Sequence, residues 1–237
     1  YNQKNIHLTI HKSINIPLIS NRNMVERGLE AITGPMFSGK SKELINRLDT
    51  YQLGDIKVQA FKSMLDIERY GSNIKAHDGV EFPGTPAQTS DELYRLIKED
   101  TEVIGIDEVQ FFDDGIVDLV LDQVHTKGRL VIVNFLNMDF RGDPFRFKKM
   151  GNLEEISDKS VGELISRATS DKSEIREAVC RYKFGGRTCG KKAQYTQRLF
   201  PDGRPVPYSD PLIFVGGKDP MNDRRYEARC ANHHQVP

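Results

Sequence analysis

Residues 32–48 read ITGPMFSGKSKELINRL, and inside them the octet Gly34-Pro35-Met36-Phe37-Ser38-Gly39-Lys40-Ser41 sets two glycines, a lysine and a serine before an amphipathic run. A loop with glycine at both ends can turn its N–H groups inward, because glycine tolerates the positive φ angles this needs. Lys40 then reaches the β- and γ-phosphates of a nucleotide, and the Ser41 hydroxyl sits on Mg²⁺. The context agrees with that reading. LEAIT (29–33) is a short apolar run that predicts a buried strand, and SKELINRLDTYQ carries Leu44, Ile45 and Leu48 at helical spacing. The loop therefore opens a helix N-terminus, itself an anion site. A glycine turn with a surface lysine is the plainer alternative, and it explains neither the strand before nor the helix after.

Outward from the loop the pattern repeats. KVQAFK (57–62), EVIGID (102–107) and RLVIVNFL (129–136) predict three further strands. TSDELYRLIKED opens on a capping box, Thr89-x-x-Glu92, and DDGIVDLVLDQVHTKG puts Ile116, Val117, Val120, Leu121 and Val124 on one helical face. Alternating strands and helices predict an α/β fold, a parallel sheet covered by helices on both faces. Residues 63–84 show no periodicity and many turn formers, so they read as a long loop, of the kind that is functional or mobile. After about residue 150 the pattern loosens; SVGELISRA is a modest helix, and 178–234 has little room for a core of its own.

The 237 residues suit one large domain, or a medium one with a small one. Lys+Arg and Asp+Glu both number 34, so net charge makes no case for a nucleic-acid or membrane partner. Three cysteines, all in the last quarter, suit a reduced compartment and a local metal site better than a disulfide scaffold. Residues 1–23 are rich in Asn and Ile and hold no acidic residue, yet show neither an apolar signal core nor a small-residue cleavage site. They are expected to be a disordered extension. The expected division is then 1–23, a P-loop nucleotide-binding α/β domain at 24–177, and a small unit at 178–237.

A second nucleotide feature lies in VIGIDEVQFF (103–112), where Asp107 and Glu108 end a buried strand. Ligands of open α/β sheets bind beyond the carboxyl ends of strands. Phosphoryl transfer to an alcohol needs charge neutralisation and a base for the hydroxyl proton. One acid for the metal and one for the acceptor is the simplest division. A mere helix cap is the alternative for an isolated Asp-Glu pair.

GPMFSGKS, VIGIDEVQFF, YTQRL and YEARCANHH together closely resemble the thymidine kinases of the cytosolic, zinc-containing type, over Leu29 to Val236 and in the same order. The resemblance implies ATP-dependent transfer of the γ-phosphate to the 5′-hydroxyl of thymidine, and of deoxyuridine, in nucleotide salvage for DNA synthesis. It implies a cytoplasmic homotetramer inhibited by thymidine triphosphate. By matched position, Asp107, Glu108, Val109 and Gln110 accompany the nucleotide, with Asp107 the Mg²⁺-linked acid and Glu108 the catalytic base. Phe111 and Phe140 are walls for the thymine base; Met36, Leu136 and Phe145 are pocket positions; Asp66 with Arg69 is a loop pair near the phosphates. A P-loop ATPase or nucleotide-binding regulator with a zinc module is the competing reading, disfavoured by the absence of a basic stripe.

The resemblance further implies a C-terminal lasso closing over thymidine largely through main-chain groups, here Thr196, Leu212, Phe214, Gly216 and Tyr226. Cys180, Cys189, Cys230 and His233 would form a closed, structural Cys₃His zinc site at its base. Two departures from the family pattern stand out. Eight residues separate Cys180 from Cys189 where the family has two, and GGKDPMNDRRY lengthens the link before Tyr226. The inserted KFGGRT can loop out as a hairpin on its Gly185-Gly186 pair. His234 competes with His233 as fourth ligand. Because the P-loop belongs to the sheet, ATP docking is expected not to depend on this tail.

Overall fold

The structure, a computed structural model, describes residues 25–66, 71–213 and 224–237, the side chain of Asp66 excepted. The expected extension 1–23 and the positions of Arg69, Phe214 and Gly216 lie outside the described residues.

Six parallel strands form the central sheet: β1 (Gly28–Thr33), β2 (Val58–Ser63), β3 (Thr85–Ala87), β4 (Val103–Asp107), β5 (Leu130–Phe135) and β6 (Glu174–Ile175). Their spatial order is β6-β1-β5-β4-β2-β3. Among the described residues the α-helices are α1 (Lys40–Leu53), α2 (Ser90–Leu96), α3 (Gly115–His125) and α4 (Gly162–Arg167). Strands buried on both faces read as continuous apolar runs, yet their side chains still alternate between two cores. Leu130 and Ile132 join Leu44, Ile45 and Leu48 of α1 on one face, whereas Val131, Val133 and Phe135 join Ile116, Val117 and Val120 of α3 on the other. Each such side chain, fully buried, stabilises by roughly 1.5–3 kcal/mol. Gly105 of β4 lets α1 settle close, since a Cβ there would lie 2.6 Å from the Leu48 side chain.

The strand and helix expectations hold to within a residue or two for β1, β2, β4 and β5 and for α1. Residues 63–84 are less bare than expected. They contain a short hairpin, Ile74–Lys75 with Glu81–Phe82, whose Ile74, Ala76 and Phe82 pack into the α1-side core. The capping box is half formed: the Thr89 hydroxyl accepts from Glu92 N at 3.1 Å, but the Glu92 carboxylate reaches Gln88 N at 2.7 Å rather than the cap residue.

The tail also differs from a coreless unit. Ala178, Cys180, Ala193, Ala228 and Cys230 make a small buried cluster. Around it run Ala178–Val179 paired with Lys192–Ala193, and the antiparallel pair β7 (Tyr195–Leu199) and β8 (Arg225–Arg229). KFGGRT does form a hairpin, Lys183–Phe184 with Arg187–Thr188; Gly185 and Gly186 turn at φ 55° and 78°, where other residues are strained.

Candidate active site and metal centre

The carboxyl ends of β1, β4 and β5 open on a cavity of about 530 Å³. β1 runs into the glycine loop, and Gly39, at φ 79°, ends it as the N-cap of α1 without a side-chain cap bond. The first N–H groups of a 14-residue helix therefore face the loop unclaimed by any capping side chain, the arrangement that receives an anion. Lys40 is buried and donates from Nζ to the Pro35 carbonyl across the loop at 3.0 Å. Burial pushes its ammonium below the ordinary pKa, against the pull of Glu108 and Asp107. The Ser38 hydroxyl donates to the same Pro35 carbonyl at 2.8 Å. Phe37, at the loop tip, is 40% exposed, has φ 66°, and tilts its ring against His77 with centroids 5.1 Å apart.

Asp107 Oδ1 accepts from the Ser41 hydroxyl at 3.0 Å and from Asn134 Nδ2 at 2.5 Å. The same Asn134 amide accepts the Glu108 N–H at 2.8 Å, so β5 fixes both acids of β4. Glu108 sits at φ 51°, a left-handed conformation that costs a non-glycine residue of order 1–3 kcal/mol, and its carboxylate accepts from Gln110 Nε2. Strain of this kind persists where surroundings over-determine it, here at the turn that presents the carboxylate to the cavity.

The opposite end of the cavity is apolar. Phe111 and Phe145 meet edge to face with centroids 6.1 Å apart, and Leu136, Met36 and Phe140 complete that wall. Thr196 of β7 accepts the Met36 N–H at 2.9 Å, which binds the tail to the glycine loop. The expected independence of loop and tail is thus incomplete. Leu212 and Tyr226 also line the cavity. Arg198 holds this end together: its guanidinium lies 4.1 Å from the Phe140 ring centre, pairs with Asp210 at 3.1 Å, and donates to the carbonyls of Pro211 and Leu212 at 2.5 and 2.7 Å.

Not every expected residue reaches the cavity. Val109 is fully buried in the α3-side core, and Gln110 spends its amide on Glu108 and on Leu136 N at 3.3 Å. Gly34, Pro35 and Ser38 shape the loop from behind. Sequence reasoning missed Asn134, whose signal was a lone polar residue in an apolar strand, and Lys75, His77 and Asp78, which the hairpin brings to the glycine loop. Lys42 of α1 pairs with Asp78 across that approach.

Cys180, Cys189, Cys230 and His233 bring their ligand atoms within 4.8 Å of one another. His233 Nδ1 lies 3.6 Å from the Cys180 sulfur and 3.4 Å from that of Cys230. The Tyr182 ring stacks on His233 at 4.2 Å and fixes its plane. Burial disfavours the Cys180 thiolate, but N–H groups of Cys230 and Tyr182 and the His233 ring outweigh it, bringing its pKa to about 7. Burial and the neighbouring Cys180 push the Cys230 thiol up. Three sulfurs and one imidazole, closed in by a packed shell, fit a structural zinc ion. His234 is spoken for elsewhere: it stacks on Tyr195 at 4.6 Å and its Nε2 lies 2.8 Å from the Phe140 carbonyl oxygen.

Comparisons with known proteins show what the chain as a whole is similar to. The family model described as thymidine kinase matches residues 27–234. A thymidine kinase of Thermococcus kodakarensis is 39% identical over 214 residues, covering 88% of this chain and 94% of that protein. The X-ray structure of the Legionella pneumophila ATPase DotB aligns with 62% of this chain and 36% of its own at 13% identity and a TM-score of 0.33, a likeness too slight to carry any conclusion.

Proposed function

The chain belongs to the thymidine kinase family, and on that premise we propose that it transfers the γ-phosphate of ATP to the 5′-hydroxyl of thymidine, with deoxyuridine as a second acceptor, in nucleotide salvage. One observation carries the reading. One cavity has a glycine loop, a buried lysine and two carboxylates at one end and an aromatic wall at the other.

In this reading the N–H groups of the loop and of the α1 N-terminus hold the β- and γ-phosphates, and Lys40 leaves the Pro35 carbonyl to neutralise the group in transfer. Ser41 and Asp107, already in contact, are the residues that would hold Mg²⁺; when bound, the ion supplies neutralisation of phosphate charge. Asn134 keeps Asp107 and the Glu108 backbone in register. Glu108 takes the proton of the attacking 5′-hydroxyl, its carboxylate steadied by Gln110. Phe111, Phe140, Phe145 and Leu136 enclose the thymine, and Met36 fills the junction between the two substrates. Thr196, Leu212 and Tyr226 close the lid, with Phe214 and Gly216 as further main-chain partners and Asp66 and Arg69 as the loop pair near the phosphates. Residues 24–177 then work as the nucleotide-binding unit and 178–237 as the zinc-based lid.

Incubation of the purified protein with ATP, Mg²⁺ and labelled thymidine tests the proposal. Thymidylate should appear with one ADP per turnover, and deoxyuridine should serve in its place; ADP release that ignores the nucleoside would mean an ATPase instead. A homotetramer and a cytoplasmic location complete the proposal, and sedimentation of the purified protein tests the first. Among the described residues no helix is long and apolar enough to cross a membrane.

A further inference from the structure

We propose that Arg176 is a positioning residue for the phosphate-donor loop, bracing it from the side opposite the cavity. The inference rests on the reading that this loop receives the donor phosphates. Arg176 follows directly on β6, the edge strand beside β1, and touches the loop in three ways. Its backbone N–H donates to the Thr33 carbonyl at 2.7 Å, just before the first glycine. Its own carbonyl oxygen lies 2.3 Å from where a Cβ on Gly34 would stand, so only glycine fits there. Its Nε donates to the Ser38 carbonyl at 3.0 Å, and its guanidinium lies 3.8 Å from the corresponding Cβ position of Gly39.

The Ser38 contact has a directional consequence. The Ser38 C=O and the Gly39 N–H belong to one planar trans peptide and point to opposite sides of it. Holding the carbonyl toward Arg176 therefore aims the Gly39 N–H away from Arg176. That direction is the cavity side, since Gly39, Lys40 and Ser41 line the cavity while Ser38 and Arg176 do not.

The brace is itself anchored. Nη1 of Arg176 pairs with Glu174 at 2.5 Å and with Glu43, in the first turn of α1, at 3.3 Å. Glu43 also holds Arg47 at 2.9 Å, and Arg47 reaches the buried Glu30 of β1 at 2.8 Å. An isolated exposed ion pair contributes little, but this network ties β1, β6 and α1 around the loop they share. Four residues beyond Arg176 stands Cys180 of the Cys₃His cluster, so the segment that bears the brace leads directly into the tail.

The test compares Arg176→Leu and Arg176→Lys with the wild type, by equilibrium titration with ATP and Mg²⁺ in the absence of nucleoside, by steady-state kinetics and by thermal melting. Arg176→Leu should weaken ATP binding and raise the KM for ATP about tenfold, the equivalent of one charge-assisted hydrogen bond. The KM for thymidine should stay within about twofold, because among the described residues no contact of Arg176 lies on the acceptor side. Arg176→Lys, which can reach Ser38 but cannot fork to Glu43 and Glu174, should recover part of the affinity. Unchanged ATP affinity in Arg176→Leu overturns the proposal, as does an equal rise of both Michaelis constants. Should Arg176→Leu not fold, Arg176→Lys decides: full wild-type ATP affinity overturns the forked brace, and a several-fold loss supports it. Wild-type protein that binds ATP but phosphorylates no nucleoside overturns the functional reading alone, and the titrations still decide on Arg176.

Discussion

The donor end of the cavity rests on strands of five and six residues and a 14-residue helix, whereas the lid of the acceptor end rests on a tail in which Cys180 and Cys189 each follow a two-residue strand and Cys230 follows the five-residue β8. The first is held by two apolar cores; the second shares one of them through Phe111, Leu136 and Phe145, but its lid is held by the Cys₃His cluster, a few buried alanines and cysteines, and the contacts of Arg198. Hydrophobic burial is non-directional and survives the loss of any one polar contact, whereas a site built from a few directional bonds loses its shape when one is cut. The two ends should therefore fail separately, and through different substrates.

The severest test strikes chemistry without touching either support. Lys40→Ala should lower kcat by about three orders of magnitude, the upper range for removing one group that stabilises transferring charge. Its melting temperature should stay within about 3 °C, since burial disfavours the ammonium in the first place. Wild-type turnover in this variant would dissolve the donor-end assignment.

Glu108→Gln should lower kcat about 10²-fold with ATP affinity intact, because the amide oxygen still accepts from Gln110 while the base is gone. A loss of nucleotide affinity at unchanged turnover would exchange the roles of Glu108 and Asp107.

Cys230→Ser, or zinc removal by a chelator, bears on the comparison itself. Zinc content measured by mass spectrometry should fall, and the KM for thymidine should rise about tenfold, in line with the loss of a metal-site residue. The KM for ATP should rise only about twofold, through the bond from Met36 N to Thr196. Equal damage to both substrates would show the two ends to be one unit.

The mildest probe is acid. Burial works to raise the pKa of Asp210, but Arg224 and Arg198 overcome it and hold the carboxyl below its ordinary value. A carboxyl depressed in the folded state contributes stability that is whole above its unfolded pKa of about 4 and is lost as pH falls through the lower folded value. Melting of wild type and Asp210→Asn should therefore differ more at pH 7 than at pH 3. Tail-sited probes should register acid loosening before sheet-sited ones.

The same contrast explains what the sequence disclosed. β1, β4 and β5 are buried on both faces, so continuous apolar runs marked them, and the helix faces of α1 and α3 showed their period. β3 is Thr-Pro-Ala and β6 is Glu-Ile; edge strands of two or three residues, one with a proline, carry no pattern to read. Glycine spacing gave away the loop, and the position of Asp107 at a strand end gave away its partner. The Lys75–Asp78 approach and Arg176 were invisible because contacts across more than 30 residues leave no local trace. The Cys230-x₂-His233 spacing favoured His233 over His234, and the geometry separates them: His233 Nδ1 lies 3.4 Å from the Cys230 sulfur, whereas His234 Nε2 lies 2.8 Å from the Phe140 carbonyl oxygen.

Phe37, strained at the tip of the glycine loop with its ring against His77, gives this protein an optical use. The chain contains no tryptophan, so its indole fluorescence background is nil. A single Phe37→Trp substitution replaces one exposed aromatic with another and puts the sole indole where the hairpin meets the loop. The imidazole of His77 stands within quenching distance of that indole. Arrival of a triphosphate beneath it, followed in a stopped-flow mixer, becomes a change in brightness rather than a radioactive count.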